Sequence, residues 1–236
     1  MRRFFDVPPA QRALLGALVL SSAVGVSMYA SRVLYTRSLS YAFLVWNIVL
    51  AWVPLLIAWT LHVTEESGRG TRARGLLLLS LWLLFFPNAP YIITDFLHVS
   101  PRAGVPMWFD VLLVMSFAWN GMMLGFLSLF LVHDVVRRRR GQLVGWVISI
   151  GALVLAAFGI YLGRFGRWNS WDLLARPHEL LADVVARLSH PLSHPRTLAV
   201  TLSYGTFLVL AYLTLCGFVA GASAYRVPSI VRRNHE

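Results

Sequence analysis

Lysine is missing from this chain: all 21 of its basic residues are arginine, set against only 10 acidic residues in 236. Cysteine occurs once, as Cys216, which excludes an internal disulfide framework and a cysteine metal site. Charged residues of both signs make up 13%, about half the usual share of a soluble domain. No GxSxG, no P-loop, no HExxH and no GxGxxG opening a strand–helix unit is found, so the familiar soluble chemistries lack their residues. What is abundant is apolar: 58% hydrophobic residues and a mean hydropathy of +0.66 define a membrane protein.

Apolar runs recur at 13–31, 41–61, 75–97, 108–132, 143–163 and 198–220, each about long enough to cross a ~30 Å hydrocarbon core at 1.5 Å per residue. The expected fold is an all-α polytopic bundle of about six spanning helices in one domain, 1–236. Residues 1–30 also have the charged start of a signal peptide. Their apolar core is long, however, and "SMYAS" is a poor cleavage site, so they are read as the first span. Arginines divide unevenly between the two sides. Thirteen flank the termini, the 62–74 loop and Arg137–Arg140; eight, from Arg32 to Arg196, fall on the other side. Basic residues collect on the cytoplasmic side, so both termini are expected there, in a bacterial cytoplasmic membrane. The same interleaving explains the basic excess through topology and anionic headgroups, and excludes nucleic acid as the partner. The bilayer is the expected partner.

The outer loop, 164–197, carries an amphipathic pattern from Pro177 to Ser189. Leu180, Leu181, Val184, Val185 and Leu188 share one face, while Glu179, Asp183 and Arg187 share another. A surface helix is expected there, stopped by "HPLSHP". His190 and His194 each precede proline, so the segment is extended and their i,i+4 spacing does not put them on one helical face. "HDVVRRRR" at 133–140 reads as a topology determinant.

The third span contains "FFPNAPYIIT" at 85–94. Residues 75–86 alone would reach only about 18 Å, so the crossing must include this stretch. Pro87 and Pro90 remove two amide donors and free carbonyls where no lipid can satisfy them. Two readings follow: a kink with Asn88 capping the freed groups, or a lined cavity. Asp95 and His98, three residues apart, come next.

Most intramembrane polar groups fall toward the same, outer side: Asn47, Asn88, Asp95, His98, Asp110, Asn120, then Arg164, Arg167, Trp168, Asn169 and Asp172. Unpaired charges there are expensive, so Asp95 and Asp110 are expected to pair with Arg164 and Arg167. If the cluster is catalytic, Asp95 or Asp110 supplies a base and His98 an acid or orienting group. If it binds, Asn88, Asn120, Arg164, Arg167, Trp168, Asn169 and Asp172 form an anion-accepting surface. No second histidine joins Asp95, His98 and Asp110, so no metal and no cofactor is expected. Three functions follow: a non-catalytic partner-binding or assembly protein, ranked first; binding or transport of a small or lipid-linked anionic molecule; or an intramembrane enzyme acting on an outer-leaflet lipid-linked substrate. Another membrane protein or a lipid-linked anionic ligand is the corresponding partner.

"WLLFFPNAPYIITDFLHV", "FDVLLVMSFAWNGMMLGFLSL" and "GIYLGRFGRWNSWDLL", in that order, resemble a bacterial family of multi-pass membrane proteins defined only as a domain of unknown function, number 1361. The likeness runs from about residue 41 to 220. It implies a bacterial membrane protein and brings no activity, cofactor or catalytic residue with it.

Overall fold

The computed structural model describes residues 9–68, 70–101, 104–168 and 172–224. They form helices α1 (Pro9–Thr36), α2 (Ala42–Glu66), α3 (Arg72–Phe85), α4 (Asn88–Tyr91), a 3₁₀ turn (Ile92–His98), α5 (Met107–Arg140), α6 (Gln142–Arg164), α7 (Asp172–Ala175), α8 (Pro177–Ser189) and α9 (Pro195–Ala224). No β-strand occurs among the described residues. Six crossings are long and apolar enough to span a bilayer; the third combines α3, α4 and the 3₁₀ turn as Arg72–His98. The fold is thus the expected all-α helical bundle.

At its centre stands α5, about 51 Å long at 1.5 Å per residue, packed against α1, α2, α6 and the broken third crossing. Its buried face carries Leu113, Phe117, Leu124, Leu129 and Val132, all 1% exposed or less. Helices α1 and α9 sit at the rim, with α1 leaning on α5 and α9 on α6. The helix ends extend past the apolar runs. On α1 the extension takes in Arg32; on α5 it takes in Arg137–Arg140, of which Arg138 and Arg139 reach α2. There Arg138 reaches Asp134 at 2.6 Å and Glu66 at 3.6 Å, and Arg139 pairs with Glu65. Ion pairs at this end offset the loss of apolar residues and let the helix continue.

The break in the third crossing follows from its prolines. Thr71 caps the start of α3, its Oγ1 accepting from Arg74 N at 3.2 Å. Pro87 has no N–H for the Leu83 carbonyl and Pro90 none for the Phe86 carbonyl. The chain tightens instead: Ala89 N donates to Phe86 O at 3.2 Å, an i to i−3 bond that abandons Phe85 O. Asn88 Nδ2 takes that carbonyl at 2.9 Å. Beyond Tyr91 the chain does not resume as an α-helix but as the 3₁₀ turn, in which residues three apart eclipse.

Glycines hold this segment from two sides. On α5, a Cβ at Gly121 would come 2.7 Å from Ala89 O, and one at Gly125 3.1 Å from Ala89 Cβ. On α6, a Cβ at Gly159 would meet Pro87 at 2.9 Å, and one at Gly163 the Tyr91 ring at 3.0 Å. Each helix thus offers two glycines four residues apart, the small-residue spacing that lets backbones approach closely in membranes.

Helix α8 covers the end of the bundle that holds Asp95, turning its polar side inward. Arg187 pairs with Asp183 at 2.7 Å and donates to Tyr161 Oη at 2.9 Å and Thr197 Oγ1 at 3.2 Å. Leu181, Val185 and Leu188 face outward, each more than half exposed.

Candidate functional site

Between α2 and α6, floored by the break, lies a cavity of about 550 Å³. Along α6 it runs from Leu155 to Arg164, nine residues or about 13.5 Å, near half the ~30 Å hydrocarbon thickness. Its two ends differ in chemistry. Toward the middle of the bundle the walls are Leu50, Leu83, Leu84, Leu155 and Phe158; toward the α8 end they are Asn47, Asp95, His98, Arg164 and Trp168. Trp46, Leu83 and Leu155, 56%, 37% and 52% exposed, mark a side opening toward the lipid-facing surface.

The polar end is built around one guanidinium. Arg164, last residue of α6, donates from Nε to Thr94 Oγ1 at 2.8 Å and from Nη2 to Asp95, while Nη1 lies 3.3 Å from the His98 ring nitrogens. Its guanidinium carbon lies over the Tyr91 ring, 4.7 Å from the centroid. Because the 3₁₀ turn eclipses Asp95 and His98, one arginine reaches both. Asp95 is 1% exposed; one oxygen accepts from Arg164 and the other from Asn47 Nδ2 at 2.8 Å. Both oxygens are therefore engaged. His98, on the exposed side, packs against the Phe43 ring at 4.9 Å. Trp168 donates from Nε1 to Asp183 at 2.9 Å, joining α8 to the mouth, where Leu180 also contributes. Asn88 caps Phe85 O and lines the cavity as well, so both readings of the break apply to it.

The remaining predicted residues sit elsewhere. Asp110 does not pair with Arg164 or Arg167; it opens α5 on the side facing α1, where Arg32 binds it. Asn120 also turns to α1, donating to Ser22 Oγ at 2.6 Å. Asp172 accepts from Arg176 at 2.9 Å, and its charge and hydrogen bond push the Arg176 pKa up. Arg167 is exposed and holds a left-handed φ of 57°, beside Trp168. Asn169 lies outside the described residues.

Sequence reasoning missed Arg32, counted as a loop charge although it falls in the apolar frame of "SMYASRVLY". It also missed Tyr91, whose only signal is an aromatic ring about one turn from Asp95. A third omission is His133, whose Nδ1 lies 3.0 Å from Ser149 Oγ deep between α5 and α6. No group of three His, Cys, Asp or Glu is placed to hold a metal among the described residues.

These features define an integral membrane helical bundle with a laterally open, polar-headed cavity. The chain belongs to the family described as protein of unknown function (DUF1361), whose model matches residues 46–211. No curated protein and no solved structure matches it. The matched range contains every cavity-lining residue except Phe43, and excludes α1.

Proposed function

We propose that this protein binds a membrane-soluble amphiphile, a lipid or a lipid-linked molecule, entering sideways between α2 and α6. The observation that carries this reading is the polarity gradient of the cavity, apolar at mid-bundle and hydrogen-bonding at one end, over a depth close to one leaflet. Such a gradient matches a ligand lying parallel to its lipid neighbours, headgroup at the interface and chain inward. The arginine distribution supports a cytoplasmic-membrane orientation with both termini inside, which puts the polar end at the outer leaflet. A proton-abstracting role for Asp95 is disfavoured, since both its oxygens already accept hydrogen bonds.

A second reading, attachment of another membrane protein, draws on the outward Leu181, Val185 and Leu188 of α8. The first is tested by extracting the protein in mild detergent and weighing retained lipid by native mass spectrometry. Leu155→Trp fills the apolar end from an exposed position and should abolish retention while the protein stays folded. Retention unchanged in that variant would end the groove reading.

A further inference from the structure

We propose that the ligand's head is an anion of the phosphate class, held between Arg164 and His98, so that the groove selects anionic amphiphiles over zwitterionic ones. The inference rests on the groove reading above and adds the chemistry of the head.

The argument is an inventory of donors and acceptors. A guanidinium has five N–H groups and no acceptor. Arg164 spends one on Thr94, one on Asp95 and one toward His98. Two remain, one on each terminal nitrogen, on a side chain that lines the cavity and is 12% exposed. The bonds to Thr94 and Asp95, with the Tyr91 ring 4.7 Å from the guanidinium carbon, hold the fork in place before any ligand arrives. The His98 ring stands beside it at the exposed edge, both nitrogens 3.3 Å from Arg164 Nη1.

What the mouth withholds decides the sign of the charge. Among the described residues that line the cavity Asp95 is the single carboxylate, and it is 1% exposed with both oxygens taken. A ligand ammonium would find no open carboxylate on this described lining; the exposed Glu179 of α8 lies outside it and faces Arg176 at 3.7 Å. The aromatic rings near the head already carry partners, Phe43 the His98 ring and Trp168 the Arg176 guanidinium at 4.9 Å. Arg167, the exposed chain neighbour of Trp168, is not part of the lining, so Arg164 is the arginine that meets the head. A phosphate monoester offers several acceptor oxygens to this set, and charge-assisted bonds of this kind are roughly twice as strong as neutral ones.

The full chain in detergent is titrated, under native mass spectrometry, with dioleoyl phosphatidic acid, with dioleoyl phosphatidylcholine, and with inorganic phosphate. Phosphatidic acid should bind at least about tenfold more tightly than phosphatidylcholine, the range expected for one or two charge-assisted hydrogen bonds. His98→Gln, at an exposed position, should weaken phosphatidic acid several-fold and leave phosphatidylcholine unchanged. The double variant Asp95→Asn with Arg164→Gln removes the charges as a pair, avoiding a lone buried carboxylate, and should erase the preference. Displacement of phosphatidic acid by millimolar inorganic phosphate would identify free phosphate as the recognised group; no displacement would identify the lipid. Either result keeps the anion site. Equal binding of the two lipids to the unaltered protein, or a preference that survives both variants, overturns it and leaves the groove reading standing. Loss of both lipids' binding to background, with Leu155→Trp indistinguishable from the parent, overturns the groove reading instead.

Discussion

Arg32 and Asp110, 78 residues apart, form a two-pronged ion pair: Nε donates to Oδ1 at 2.7 Å and Nη2 to Oδ2 at 3.1 Å, with both side chains only 2% exposed. The Tyr41 ring lies 4.8 Å from the guanidinium carbon, and the Tyr41 hydroxyl donates to His98 O at 3.3 Å. One tyrosine thus touches both the pair that fastens α1 and the mouth of the cavity. Arg32→Ala should destabilise the protein by about 3–5 kcal/mol, because it leaves a buried carboxylate alone. Arg32→Met with Asp110→Leu should recover most of that. Thermal unfolding in detergent measures both; a double variant as unstable as the single one would refute the pairing.

The second pair gives a contrast of coupled and uncoupled residues. Asp95→Ala and Arg164→Ala should be strongly non-additive, coupled by about 1–3 kcal/mol, since each removal strands the other's charge. Asp110→Ala and Arg167→Ala should add within about 0.5 kcal/mol, because those residues do not meet. A double-mutant cycle on each pair decides it. Coupling between Asp110 and Arg167 would contradict the arrangement at this end of the bundle.

Glycine substitutions read the contacts around the break. Gly121→Ala and Gly159→Ala each drive a methyl into atoms less than 3 Å away and should cost about 1–3 kcal/mol. Gly151→Ala and Gly217→Ala, with nothing within 4 Å, should be neutral or gain up to about 1 kcal/mol from helix propensity. Four unfolding curves under one detergent condition suffice, and equal effects across the set would show that the close approach carries no energy.

Asn88→Ala removes the donor on Phe85 O and should cost about 1–3 kcal/mol. Because Asn88 also lines the cavity, lipid retention should fall in protein that still inserts and folds. Unchanged retention alongside reduced stability would assign Asn88 to the kink alone.

Orientation is checked by labelling in intact cells with Cys216 replaced by serine. A cysteine at Ser193 should react with an impermeant thiol reagent, while one at Gly68 should stay protected until the membrane is opened. The reverse pattern would invert the predicted topology and move the cavity's polar end to the cytoplasmic leaflet.

The spans were legible because hydropathy over about 20 residues is a bulk property, and α8 because its charges and leucines alternate at helical spacing. Asp95, His98 and Arg164 were legible as one cluster, since each lies at the same end of its helix. Depth alone does not give azimuth, however. Asp110 lies at that same end and yet faces α1, where Arg32 holds it. Which arginine meets which aspartate depends on the rotation of each helix about its own axis, and hydropathy is silent on that within a core that is apolar all round. The glycines of α5 and α6 were silent for a related reason: their spacing gains meaning only once it is known what they face.

The third crossing cannot finish itself. Its broken stretch lacks a continuous ladder of internal hydrogen bonds, and its shape is imposed by Gly121 and Gly125 from α5 and by Gly159 and Gly163 from α6. Both partners leave the ribosome after it. During synthesis the segment Asn88–His98 must wait, with Asp95 uncompensated, until the last residue of α6 delivers the guanidinium that neutralises it. A chain ending before Arg164 would leave Asp95 with the Asn47 amide alone, so the charge of this span is balanced only once α6 is in place.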